Sequence, residues 1–117
     1  MNNKDTGFLG EKMAQDLLIS NGFNILACNW RYRHLEIDII ASKEHVLHIV
    51  EVKTRTDIQF GYPEQQVSRA KLQCIKNAAA MYQYQNRQWK QLQFDIIAIF
   101  QKPDKKWDIL FIEDVFF

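Results

Sequence analysis

The alternation of apolar and polar positions divides the chain into helical and strand segments. Apolar residues recur at helical spacing from Gly7 to Asn21 and again from Gln65 to about Gln85. Short runs rich in Ile, Val and aromatic residues predict the strands. These runs are Phe23–Asn29, Leu35–Ala41, Val46–Thr54, Gln93–Phe100 and Trp107–Ile112. The order αβββαβ, followed by a last strand, indicates an α/β fold with a central mixed sheet flanked by helices.

Residues with turn propensity separate these segments. Gly22 follows the first helix and suits the left-handed position that often ends a helix. Glu44 and His45 can form a two-residue turn between the second and third strands, which would make these strands a hairpin. We expect a loop from Arg55 to Pro63 and a turn from Lys102 to Lys105.

Composition indicates one globular domain over residues 1–117. Hydrophobic residues make up 47% and charged residues 25% of the chain, an ordinary balance for a folded domain. The sequence shows neither a membrane-spanning apolar run nor a signal peptide, so we expect a cytoplasmic protein without membrane contact. Cys28 and Cys74 lack CxxC partners, which predicts two small buried thiols rather than a disulfide or a zinc site.

The net charge of +1 shows no basic excess. Proteins that hold duplex DNA through many phosphate contacts usually carry such an excess. Tight, sequence-independent DNA binding by the isolated monomer is therefore not expected, although a local basic patch is compatible with this charge.

The predicted hairpin places charged side chains opposite each other. With a two-residue turn, Asp38 faces Glu51 and Glu36 faces Lys53, and alternation puts all four on one side of the sheet. Facing carboxylates repel each other, and a divalent cation removes this repulsion because it prefers oxygen ligands. Asp38 and Glu51 are thus candidate metal ligands, and Lys53 could orient a water molecule. The alternative is an ionic cluster at a solvated strand end, with Glu36 paired to Lys53.

The two helices each offer one further charged residue. Glu11 borders the core-facing stripe of the first helix and could bring a third carboxylate to the strand ends. The alternative is a first-turn acid that stabilises the helix. Lys71 lies on the core-facing stripe of the second helix. It could contact a nucleic acid, or its stem could cover the core while its ammonium stays in solvent.

Aromatic and basic residues alternate from Trp30 to His34, a segment that we expect to be a loop. Arg31 and Arg33 could contact phosphates while the neighbouring rings stack on exposed bases. Alternatively, the rings pack on the sheet. Arg55, just after the third strand, could bind a phosphate or pair with Asp57.

Three other features favour structural roles. His48 faces away from Glu51 and is expected to be packed, and Asp95 lies between apolar residues of the fourth strand. The tail from Asp114 to Phe117 is apolar enough to dock on the domain or on a second subunit.

Four segments together resemble the YraN-like family of uncharacterised bacterial proteins. They are Gly7–Glu11 with Ala14, Glu36–Ala41, Val50–Arg55 and Phe94–Ile97. The resemblance implies a restriction-endonuclease-like fold of the PD-(D/E)XK superfamily, similar to archaeal Holliday-junction resolvases. Ile37 stands where the superfamily name has Pro, and Leu35 where this family usually has Gly. Neither position supplies a catalytic group.

The resemblance also implies a site. Glu11, Asp38 and Glu51, with the backbone carbonyl of Val52, would bind Mg²⁺ or Mn²⁺, and Lys53 would assist the attacking water. In related nucleases a polar residue on the second helix reaches toward the site, as Lys71 could do here. The implied activity is a DNA endonuclease that acts on branched or single-stranded structures. Superfamily nucleases often work as homodimers, which is the expectation here too. The alternative is a non-catalytic module of the same fold that binds nucleic acid or a protein.

Overall fold

The computed structural model describes residues 3–55 and 68–115, with side chains from residue 7 onward. Its helices are α1 (Asn3–Ser20) and α2 (Arg69–Gln85). Its strands are β1 (Asn24–Tyr32), β2 (Leu35–Lys43), β3 (Val46–Arg55), β4 (Gln91–Gln101) and β5 (Trp107–Ile112). This order confirms the predicted α/β arrangement.

The strands form one mixed sheet in the order β1-β2-β3-β4-β5. The pairs β1–β2, β2–β3 and β4–β5 are antiparallel, whereas β3 and β4 are parallel. A parallel pair needs a long crossover connection, and α2 lies on that connection.

The helices cover opposite faces of the sheet. On one face, Ala14 and Leu18 of α1 are completely buried in a cluster with sheet residues such as Val50. On the other, Ile75 and Ala78 of α2 pack in a second buried cluster against residues of β2 and β3. Burying one such large apolar side chain contributes about 1.5–3 kcal/mol, so both clusters stabilise the fold.

The first helix ends as predicted but begins earlier. Gly22 has φ of 86°, and the amide of Phe23 donates to the carbonyl of Leu18 at 3.0 Å. The left-handed glycine and this bond back into the last turn close the helix. The start at Asn3 rather than Gly7 extends α1 toward the N-terminus.

The second helix begins later than predicted. Ser68 has extended backbone angles, and its Oγ accepts a hydrogen bond from the amide of Lys71 at 3.1 Å. A serine in this role is a helix N-cap, so α2 starts at Arg69 rather than Gln65. The loop predicted after Arg55 and residues 65–67 lie outside the described residues.

The β2–β3 hairpin has the predicted turn and register. Glu44 and His45 both have positive φ, 51° and 68°, as a two-residue hairpin turn of type I′ requires. The pairing then runs from Lys43–Val46 to Ile39–Val50. This confirms the register from which the opposition of Asp38 and Glu51 was predicted.

The predicted loop at Trp30–His34 is wrong, because β1 continues to Tyr32 and only Arg33 and His34 form the turn. The ring of Trp30 packs edge-on against Tyr82 of α2, with ring centroids 5.3 Å apart. This aromatic side chain therefore belongs to the α2 side of the core, which is the packing alternative considered for the segment.

A buried polar pair ties the C-terminal segment to the sheet. His48 Nδ1 lies 2.6 Å from Asp95 Oδ2, and the other oxygen of Asp95 accepts from the amide of Asp114. The amide of Val115 donates to the carbonyl of Phe94 at 2.7 Å. His48 and Asp95 thus have the predicted structural roles, and the start of the tail docks on the domain as expected.

The cysteines differ from expectation in one respect. Both are free thiols, Cys74 is half-buried, and Cys28 is exposed rather than buried. Of the described helices, neither is long and apolar enough to cross a membrane.

Close contact between α1 and β3 at Gly10 leads to a prediction. A Cβ atom added to Gly10 would collide with Oγ1 of Thr54 on β3, whereas one added to Gly7 would meet nothing within 4 Å. We expect Gly10→Ala to lower the free energy of unfolding by roughly 1–3 kcal/mol through overpacking. Gly7→Ala, the matched control, should be neutral or stabilising by up to about 1 kcal/mol. Urea unfolding of both variants checks this, and equal stabilities would contradict the close packing.

Candidate metal centre

The strands β2 and β3 separate just beyond their last backbone pair, Ile39–Val50. There the amide of Val52 donates to Oδ2 of Asp38 at 2.8 Å. A side-chain carboxylate thus accepts a hydrogen bond from a strand amide at the end of the ladder. Asp38 is held in the gap between the two strands as a result.

The neighbouring strand is also irregular at this point. Asn29 lies opposite Asp38, between the pairs Cys28–Ile39 and Trp30–Ile37, and has φ of 51°. Asn tolerates this left-handed conformation better than most residues.

Side-chain alternation along β2 breaks at Asp38. Ile39 packs in the cluster beneath α1, but Ile37, two residues earlier, packs in the cluster beneath α2. Strict alternation would have put both on one face. Extending the hairpin pattern to Glu36 was therefore wrong. Its carboxylate pairs with Arg31, Oε2 to Nη2 at 3.4 Å, rather than with Lys53.

Glu11 and Glu36 share one amide group. With the Asn29 amide oriented so that its nitrogen faces the acids, it donates to Glu36 Oε1 at 3.1 Å and to Glu11 Oε1 at 3.2 Å. Glu11 is half-buried on α1, the helix that covers one face of the sheet. The structure thus connects Glu11 to Glu36 through Asn29.

Glu51 is the most deeply buried acid of the site. Only 3% of the residue is exposed, and within residues 3–55 and 68–115 no donor other than Lys71 is in hydrogen-bonding reach of its buried carboxylate oxygens. Lys71 Nζ lies 3.4 Å from Oε1, which is an ion-pair contact. Lys71 reaches this point because it lies one turn before Ile75, on the buried stripe of α2.

Burial and charge shift the acid–base properties of the site. Burial, reinforced by the charge of Asp38, raises the pKa of Glu51 to about 7, against the opposing effect of Lys71 and Lys53. Burial also raises the pKa of Asp38, although the hydrogen bond from Val52 lowers it. Burial and the charge of Lys71 lower the pKa of Lys53.

The donor set fits a hard divalent cation in part. Glu51 offers two buried oxygens, of which Oε1 is in contact with Lys71 and Oε2 has no hydrogen-bond partner in the described part of the chain, next to the carboxylate of Asp38. The N–H and C=O of one strand residue point toward the same neighbouring strand. The carbonyl of Val52 therefore faces the gap that holds Asp38. Two carboxylates, a carbonyl and water are a common ligand set for Mg²⁺.

A third carboxylate is not in place. Within residues 3–55 and 68–115, no group of three or more His, Cys, Asp or Glu side chains is arranged to hold a metal ion. Glu11 acts on Asp38 electrostatically, raising its pKa. Its role as a metal ligand stays a prediction from the family resemblance.

The basic residues proposed for nucleic-acid contact are spread around the site. Arg33 lies over the ring of Tyr32, with its guanidinium carbon 5.2 Å from the ring centroid, at the tip of the β1–β2 hairpin. Arg55 ends β3 and donates to the carbonyl of Thr54 at 2.9 Å. Arg31 is exposed beside Glu36, and Lys71 pairs with Glu51. Contact of these residues with nucleic acid stays a prediction.

The bridging role of Asn29 was not predicted from the sequence, although Asn is a residue that adopts positive φ readily. The approach of Lys71 to the site agrees with the expectation for a polar residue on this helix, but its pairing with Glu51 in particular was not predicted. That pairing follows from the helix stripe, which faces the surface of the sheet from which Glu51 projects.

Comparison with known proteins identifies the family. The profile of the uncharacterised protein family UPF0102 matches residues 10–99. The chain belongs to this family. A UPF0102 protein of Flavobacterium psychrophilum is 42% identical over 113 residues, covering 97% of this chain and 94% of the relative.

Other relatives extend over similar lengths. A UPF0102 protein of Dictyoglomus turgidum is 44% identical over 105 residues, 88% of each chain. One of Natranaerobius thermophilus is 36% identical over 119 residues, covering 99% of this chain and all of the relative. The YraN-like resemblance is thereby confirmed, and the residues of the candidate site all lie within the range matched to UPF0102.

Burial of Glu51 predicts a pH-dependent stability. Its ordinary pKa of 4.5 applies to the unfolded chain, and its native pKa is about 7. Between these values the native state binds more protons, so stability falls as pH rises from about 4.5 to 7. The full effect of this carboxyl group is roughly 3 kcal/mol.

Melting temperatures measured in EDTA from pH 4.5 to 8 test this effect. The wild type should lose stability relative to Glu51→Gln as pH rises, because the variant has no carboxyl group to ionise at this position. Subtracting the two curves cancels the titration of acids that lie away from the site, so the difference reports Glu51 together with its neighbour Asp38. Parallel curves across this range would show that Glu51 is not buried as described.

Proposed function

We propose that this chain is a divalent-metal-dependent endonuclease that hydrolyses DNA phosphodiester bonds. The main support is the Glu51 carboxylate, which is buried beside Asp38 and has no partner among the described residues except the ammonium of Lys71 and the nearby charge of Lys53. A buried charge is costly unless it is paired or binds a metal. The αβββαβ order is compatible with the restriction-endonuclease-like fold that the YraN-like resemblance implies.

Asp38, Glu51 and the carbonyl of Val52 would hold Mg²⁺ or Mn²⁺. Such an ion, when bound, activates water and stabilises negative charge on a phosphoryl oxygen. Lys53 follows directly after Val52, and its lowered pKa favours exchange of a proton with water closer to neutral pH. While protonated, its ammonium would offset charge on the phosphate.

Unpaired or branched DNA is the substrate that this surface suits best. The β1–β2 hairpin presents Arg33 over the ring of Tyr32, a combination of cation and aromatic face. Exposed bases stack on such faces, and cations contact their phosphates. The near-neutral net charge of +1 argues against strong binding along a regular duplex.

Cleavage of a defined substrate panel tests the proposal. The panel contains a four-way junction, a nicked duplex, a linear duplex, single-stranded DNA and RNA of the same sequence, each with Mn²⁺, Mg²⁺ or EDTA. We expect metal-dependent cleavage of branched or single-stranded DNA. Asp38→Ala and Lys53→Ala should each lower the rate by about 100-fold or more.

Matched variants control for general effects on the protein. Asp108→Ala and Lys106→Ala remove exposed charges at β5, outside the candidate site, and should retain wild-type activity. Equal cleavage by wild type and Asp38→Ala would point to a contaminating nuclease. If the wild type cuts none of the substrates under any condition, the catalytic proposal is wrong.

A non-catalytic binding module is the second candidate. It is favoured by Lys71, which provides Glu51 with a counter-ion from the chain itself. A binding module would retain affinity for a branched or single-stranded ligand in Asp38→Ala and show no turnover in the wild type. Gel-shift and cleavage measurements on the same panel therefore separate the two candidates.

A further inference from the structure

We propose that Lys71 is the internal counter-ion of Glu51 in the metal-free protein and leaves this carboxylate when a divalent cation binds. Metal affinity would then be set by competition between the cation and the ammonium of Lys71. This inference rests on the proposed function, because it assigns a control of metal binding to the same site.

The position of Lys71 supports competition. Its ammonium lies 3.4 Å from Glu51 Oε1, on an oxygen that a cation would need. Among the described residues, no hydrogen-bond donor other than this ammonium is in reach of the Glu51 carboxylate. A cation that bound Glu51 directly would therefore displace Lys71 and no other described partner.

The balance of charge supports displacement. Asp38 and Glu51 oppose Lys53 and Lys71, so the four groups are neutral together when all are ionised. A divalent cation added to this set would leave two positive charges in excess at close range. Removal of one ammonium halves that excess, and the phosphate of a substrate would offset the remainder.

Lys71 is better suited to leave than Lys53. Its side chain is 46% exposed, so a rotation about its flexible stem can carry the ammonium into solvent at little cost. Lys53 extends from β3 and is half-buried, so its ammonium is more enclosed than that of the exposed Lys71. The two lysines thus differ in exposure, and the more exposed one, Lys71, is the one that contacts Glu51.

Substitution of Lys71 by Met removes the charge but keeps a long apolar stem. At pH 8 in EDTA we expect Lys71→Met to melt at least about 4 °C below the wild type, because Glu51 loses its counter-ion. With Mn²⁺ the variant should be half-stabilised at about tenfold lower metal concentration, because no ammonium competes. Lys71→Arg retains the charge and should respond to Mn²⁺ much as the wild type does.

Two further variants isolate the contact. Lys12→Met removes an exposed lysine of α1 whose partner is Asp16 and should change neither quantity. In a Glu51→Gln background, Lys71→Met should lower the melting temperature clearly less, since only the charge of Asp38 is left for Lys71 to balance. An equal loss in both backgrounds would overturn the counter-ion role.

Failure of this inference can be distinguished from failure of the proposed function. Mn²⁺ stabilisation of wild type and Lys71→Met at the same metal concentration would overturn the competition and leave the metal site intact. Absence of any Mn²⁺ effect in both proteins would overturn the inference together with the metal-dependent activity. Calorimetric Mn²⁺ titration of the same variants gives a second readout that is independent of cleavage.

Discussion

The hydrogen bond from the amide of Val52 to Asp38 is the contact on which the candidate site depends. It lies where β2 and β3 stop pairing, so it fixes both the width of the gap and the position of the carboxylate within it. Because Val52 is part of β3, the same contact sets the positions of the residues on either side, Glu51 and Lys53. Both flanking side chains project to the face opposite Val52.

Burying Glu51 beside Asp38 is unfavourable for the fold alone, and the protein offsets this with two lysines from different elements. Lys53 comes from the strand that carries Glu51, whereas Lys71 comes from the helix across the face. Because the side chain of Lys71 is 46% exposed, solvent screens part of its attraction to Glu51. Replacing buried charged groups by apolar residues of similar volume is often neutral or stabilising, so stability alone does not account for the acid at position 51.

The sequence predicted the parts of the site that follow from local chemistry. The turn at Glu44 and His45 determines the hairpin register, and that register brings Asp38 close to Glu51. The sequence did not predict that Glu36 pairs with Arg31 rather than with Lys53, because the alternation of side chains between the two faces fails at Asp38. The break depends on the left-handed Asn29 in the adjacent strand, a consequence of pairing that a strand pattern alone does not contain. The sequence does contain a signal for the late start of α2, because Ser68 is a good N-cap residue. The prediction followed the apolar stripe instead and placed the start at Gln65.

The hydrogen bonds that Asn29 donates to two acids affect how many carboxylates could bind one cation at this site. Its amide has two donor hydrogens, and Glu11 and Glu36 each accept one of them. For Glu11 to join Asp38 around a cation, it would give up this bond, and the amide would need another acceptor. The structure thus separates two pairs of acids: Asp38 with Glu51 in the strand gap, and Glu11 with Glu36 at the helix side. A cation held by the first pair alone would leave the second pair hydrogen-bonded to Asn29, whereas a cation that also took Glu11 as a ligand would have to break that bond.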